Sequence, residues 1–98
     1  MTDPAKVAAA TATLARQLGS LVGEPTLQVN RIEWFGDAHV TVELQVWPTP
    51  ASSKSLGSFT VPMPDADGKE QLSCYDPLVL LAIVSAFPYG ELRDRLAS

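Results

Sequence analysis

"HVTVELQVW", residues 39 to 47, alternates without a break. Val40, Val42, Leu44 and Val46 share one parity, and His39, Thr41, Glu43, Gln45 and Trp47 share the other. Successive strand side chains point to opposite faces, so this pattern describes a strand with one face in a core and one turned outward. A sheet built on such a strand needs cover on one side, and the chain must supply that cover from its remaining segments.

Upstream, "TLQVNRIEW" (26–34) is rich in strand formers but changes phase midway. Leu27 and Val29 share one parity, Ile32 and Trp34 the other. A bulge near Asn30 or Arg31 would bring both halves onto one face. "FGDA" (35–38) between the two strands reads as a short hairpin connection, since Gly and Asp tolerate the backbone angles of a tight turn. Downstream, "PTPASSKS" (48–55) reads as a Pro/Ser loop. "LGSFTVPM" (56–63) reads as a third strand, with Phe59, Val61 and Met63 in phase and Pro62 near an end or on an edge.

Three helices supply the cover. Asp3 and Pro4 suit the start of the first, one as an amide acceptor and the other as a residue with no N–H to leave unpaired. Ala-rich sequence follows, and Val7, Thr11, Leu14, Leu18 and Leu21 recur at helical spacing until Gly19 or Gly23 ends the run. The second, in "SCYDPLVLLAIVSAFPYG" (73–90), opens at Asp76–Pro77 and stops at Pro88. Its ten residues from Leu78 to Phe87 carry no charge. A surface helix keeps a polar side, and this one has almost none. The third, after Pro88, sets Tyr89, Leu92 and Leu96 on one stripe and places Glu91 four residues before Arg95.

The expected architecture is a single α+β domain over residues 1–98. It has a three-stranded antiparallel sheet, helices mainly on one face, and the order α-β-β-β-α-α. Ninety-eight residues suffice for one core without metal or disulfide. The single cysteine, Cys74, forms no internal disulfide, and the opening Met1–Lys6 lacks the basic and apolar blocks of a secretory signal. The longest apolar run is about half the ~20 residues of a membrane span. A cytoplasmic location, with no membrane contact, is the expectation.

The order helix–three strands–helix resembles that of double-stranded-RNA-binding domains, in topology alone. Between Glu24 and Asp76 lie eight acidic and three basic residues, and no Lys cluster opens the helix at 77. Such domains hold phosphates through basic residues, so the likeness implies no nucleic-acid partner here. The net charge of −4 agrees.

No catalytic, cofactor or metal set assembles from the sequence. "DADG" (65–68) suggests a calcium loop, but aligning Gly68 to the loop glycine of an EF-hand puts Met63 first and Cys74 twelfth, and neither ligates calcium. His39 and Glu43 share a strand face but stand about 13 Å apart along it. With a single His an all-His zinc triad is impossible within one chain, and the lone Cys gives no C-x-x-C pair. No serine lies in a G-x-S-x-G elbow, and no phosphate-cradling glycine motif occurs. Cys74, near a helix start, is a candidate for a lowered thiol pKa or simply a small buried side chain.

The features that remain concern contact with other proteins. Trp47 sits on the polar parity of an otherwise clean strand, beside Thr41, Glu43 and Gln45; these four form the candidate partner surface. The uniformly apolar helix offers Leu80, Val84 and Phe87 as a candidate dimer contact, which Val84→Glu should break. The leading expectation is a non-enzymatic, homodimeric interaction module of adaptor, chaperone or inhibitor type. Alternatives are a small-molecule-binding protein or minor enzyme, with a pocket around Phe59, Cys74 and Tyr75, and a structural subunit of a phage or secretion assembly.

Overall fold

The computed structural model describes residues 3–36, 38–63 and 72–98. The element order is α1 (Pro4–Val22), β1 (Leu27–Phe35), β2 (His39–Thr49), β3 (Ser52–Pro62), α2 (Pro77–Ala86) and α3 (Tyr89–Ala97). The strands form one antiparallel sheet in the order β1-β2-β3, giving the expected α+β fold. The "DADG" stretch at 65–68 lies outside the described residues.

β2 is central, and its two faces behave as its alternation requires. Val40, Val42, Leu44 and Val46 are buried, while Thr41, Glu43, Gln45 and Trp47 are half-buried on the opposite face. The phase change in β1 is accommodated by a bulge at Asn30: Val29 pairs with Leu44 and Arg31 with Glu43, leaving Asn30 as the extra residue. Leu27, Val29 and Ile32 thereby reach the same core. The indole of Trp34 follows them, half-buried, and donates to the carbonyl of Leu72 at 3.0 Å.

Two strand boundaries differ from the sequence reading. The 48–55 stretch is not an open loop: β2 runs to Thr49 and β3 starts at Ser52, so a two-residue turn, Pro50–Ala51, joins them. Pro48, which has no N–H to give a ladder, falls within a register irregularity between Val46 and Thr49, where none is required. A second irregularity follows at Leu56, where Gly57 takes φ +79°, a conformation suited to glycine.

α1 has the expected caps. Asp3 Oδ1 accepts from the Ala5 amide at 2.9 Å, and Gly23 ends the helix in the left-handed region at φ 72°. Its buried face is Ala10, Leu14, Leu18 and Gly19, with Val7 and Thr11 half-buried. Leu21, expected on the stripe, is 54% exposed. Gly19 lies on the buried face, where its missing side chain lets the turn at Glu24 fold directly onto the helix.

α2 is covered mostly by its own chain. Asp76 caps it through the Leu78 amide at 2.9 Å. Val79, Leu80 and Ile83 are buried, and Phe87 stacks against Phe59 with ring centres 5.4 Å apart. Two of the expected dimer contacts, Leu80 and Phe87, are therefore occupied inside the protomer, and Val84 is half-buried. The large hydrophobic residues it turns outward are Leu78 and Leu81, each 62% exposed. α3 closes the core with Leu92, fully buried, and the Tyr89 hydroxyl donates back to the carbonyl of Val84.

Candidate protein-binding surface

All three helices pack against one face of the sheet, so the other face stands open. Thr41, Glu43, Gln45 and Trp47 lie together on it, as their shared parity demands. The register adds neighbours from β1: Gln28 opposite Gln45, Arg31 opposite Glu43 and Glu33 opposite Thr41. From β3 come Thr60 opposite Thr41 and Ser58 opposite Glu43.

The polar side chains at the Trp47 end are joined in a relay. The Trp47 indole N–H donates to Gln28 Oε1 at 2.6 Å, Gln28 Nε2 donates to Asn30 Oδ1 at 2.7 Å, and Asn30 Nδ2 donates to Gln45 Oε1 at 3.0 Å. Asn30 shares the parity of Gln28 and lies on the open face, where it bridges Gln28 and Gln45, and the bulge keeps Arg31 on that face beside it. Gln28 and Asn30 are members of the surface that sequence reading missed. The parity of Gln28 was available as a signal, but Asn30 sits at the phase change, where its face depends on the placement of the bulge.

Further along, Arg31 lies 3.5 Å from Glu33 and 3.9 Å from Glu43. These side chains are about half exposed, so each pair contributes at most about 1 kcal/mol. The face mixes both charges and carries no basic field.

The described residues contain no cluster of three His, Cys, Asp or Glu able to hold a metal. His39 is exposed at the hairpin end, paired with Phe35 and Pro62. Cys74 is half-buried and donates from Sγ to the Ile32 carbonyl at 3.1 Å. Burial raises its thiol pKa above the ordinary value, with the charge of Glu33 adding to the shift, which disfavours the reactive thiolate.

The pocket expected around Phe59, Cys74 and Tyr75 is filled where Phe59 stands. That ring is 1% exposed, stacked on Phe87 and covered by the Arg95 guanidinium. Tyr75, by contrast, lines the second of two open concavities beside α1. One, of about 940 Å³, runs between α1 and the edge of β1; another, of about 770 Å³, lies between α1 and the start of α2.

No helix among the described residues is long and apolar enough to cross a membrane. No family model matches the chain, and no curated protein or solved structure matches it significantly.

Proposed function

We propose that this chain is a non-enzymatic protein-interaction module, an adaptor, chaperone or inhibitor that acts as a homodimer and binds its partner on the open face of the sheet. The observation that carries this reading is the relay from Trp47 through Gln28 and Asn30 to Gln45. These side chains are held to one another before any partner arrives. Binding then forfeits less side-chain freedom, at about 0.5–1.5 kcal/mol for each long side chain otherwise immobilised. Trp47 supplies a large apolar area with its one donor already satisfied, the chemistry of an interface anchor.

The partner surface comprises Thr41, Glu43, Gln45 and Trp47 with Gln28 and Asn30. Its mixed charge suits a protein rather than a polyanion.

The test is crosslinked capture from an extract of the native organism, using the wild-type chain and Trp47→Ala. A protein retained by the first and lost by the second, with equal helix content by circular dichroism, supports the reading. Equal retention by both would remove the open face from it.

A further inference from the structure

The sheet has two edges, and they are treated unequally. The Trp47 amide donates to the Thr26 carbonyl at 3.2 Å, and the Met63 amide to the Ala38 carbonyl at 2.7 Å. Bonded pairs alternate along an antiparallel ladder. His39, Thr41, Glu43, Gln45 and Trp47 therefore exchange bonds with β1, and Val40, Val42 and Leu44 with β3. On β1, the residues opposite that second set and Val46 are Leu27, Val29, Ile32 and Trp34, whose amides and carbonyls point to the outer edge.

Parts of both outer edges are occupied. On β3, Arg95 Nη1 donates to the carbonyls of Leu56 and Ser58 at 2.8 and 2.9 Å, and Pro62 has no N–H to offer. On β1, Cys74 Sγ donates to the Ile32 carbonyl and the Trp34 indole binds Leu72, so the segment around Leu72–Cys74 covers that half. The Leu27 amide turns back to the Glu24 carbonyl at a long 3.4 Å. The Leu27 carbonyl and both backbone groups of Val29 have no protein partner among the described residues. An open edge of this kind is a template for another strand.

We propose that this open edge pairs antiparallel with the same edge of a second copy, about a two-fold axis at Gln28. The inference rests on the homodimer in the reading above and names its seam. Leu27 of each copy then faces Val29 of the other. Each Val29 amide meets a Leu27 carbonyl, and each Val29 carbonyl meets a Leu27 amide released from its long internal bond. The open groups are self-complementary in this one register, which is what an isologous contact requires.

The flank beside the edge fits the same arrangement. The groove wall on α1 is small from Ala8 to Ser20 apart from Arg16, an exposed side chain at its rim, so the second copy's α1 can approach closely on the core side of a six-stranded sheet. A two-fold contact uses the same β1 edge of both copies and so closes at two, while Arg95 and Pro62 interrupt the β3 edge on either side of Thr60.

The decisive experiment combines sedimentation equilibrium with crosslinking, at about 50 μM, a concentration that populates any dimer of micromolar affinity. The wild-type chain should have twice its sequence mass. Ala12→Glu, at an exposed helical position, should fall to the single-chain mass with unchanged circular dichroism, and Leu81→Glu should remain dimeric. Gln28→Cys in a Cys74→Ser background should form an intermolecular disulfide in air. Residues facing each other at a non-bonded position have Cα atoms about 4.5 Å apart, within disulfide reach.

A wild-type dimer broken by Leu81→Glu, with no crosslink at position 28, overturns this seam and leaves the homodimer standing on α2. A wild-type chain of single mass overturns the seam and the homodimer together, and leaves the open-face reading to its own test. If Ala12→Glu fails to fold, the crosslink alone decides.

Discussion

The Arg95 guanidinium carbon stands 4.0 Å from the centre of the Phe59 ring while its Nη1 binds the two carbonyls that flank Gly57. One side chain of α3 thus caps the edge of β3, covers a core aromatic and locks the C-terminal helix to the sheet. Gly57 makes room for it, since a Cβ there would come within 3.2 Å of Nη1. Hydrogen bonds from a charged donor contribute about 1.5–3 kcal/mol and a cation over a ring about 0.5–1, discounted here because the side chain is 34% exposed. Arg95→Ala should lower stability by about 1–3 kcal/mol in urea unfolding. Arg95→Lys should recover less than half, because an ammonium lacks the planar fork. Since the alanine variant also uncovers the β3 edge, its sedimentation should show species heavier than the wild type's.

Two helical glycines make opposite predictions. Gly19 lies in α1 and its missing Cβ is replaced by the Glu24 carbonyl, which would be only 2.4 Å away. Gly19→Ala gains about 1 kcal/mol of helix propensity but forces the turn off the helix, at a cost of about 1–3 kcal/mol for overpacking plus the loss of the Glu24 amide bond to the Gly19 carbonyl. The net result should be destabilisation. Gly90 lies in α3, and the place an alanine methyl would take has nothing within 4 Å. Gly90→Ala should stabilise by about 0.5–1 kcal/mol in the same assay.

Alkaline conditions should weaken the fold. Burial raises the pKa of Cys74 above 9.0 and that of Tyr89 above 10.0, the ordinary values. For an acid with a raised folded pKa, the unfolded chain loses its proton first as pH rises. The contribution is therefore complete below the unfolded pKa and is lost as pH climbs through the folded one. The melting temperature should be flat near neutrality and fall from about pH 9 upward. Tyr89→Phe should flatten part of that fall while lowering stability at neutral pH, because it also removes the hydroxyl's bond to the Val84 carbonyl.

The fold was legible wherever one segment carried its own period. β2 declares both faces in nine residues, the phase change between Val29 and Ile32 announces the bulge, and Asp3–Pro4 and Asp76–Pro77 mark the helix starts. What escaped depends on distant partners. Arg95 reaches β3 across 37 positions to Ser58, a contact no local pattern encodes. Pro48 reads as a strand breaker until the register shows that no donor is needed there. The relay was half legible: Trp47 and Gln45 share the parity of β2, whereas Asn30 sits on a neighbouring strand at the phase change, where its face depends on the placement of the bulge. A helix apolar on every side gives no phase at all, so the rotation of α2 was hidden.

That rotation yields the last prediction. Leu80 and Leu81 are adjacent and chemically identical, yet Leu80 is 7% exposed and Leu81 62%. Leu80→Ala removes buried methyl groups and leaves a cavity, so it should cost about 2–5 kcal/mol. Leu81→Ser deletes a side chain already largely in water and should change urea stability by no more than about 0.5–1 kcal/mol. Consecutive helical residues differ by about 100° in direction, so the contrast measures which way the helix faces. Equal losses at both positions would mean that α2 is covered on its Leu78–Leu81 side as well, and that cover would have to come from a second chain.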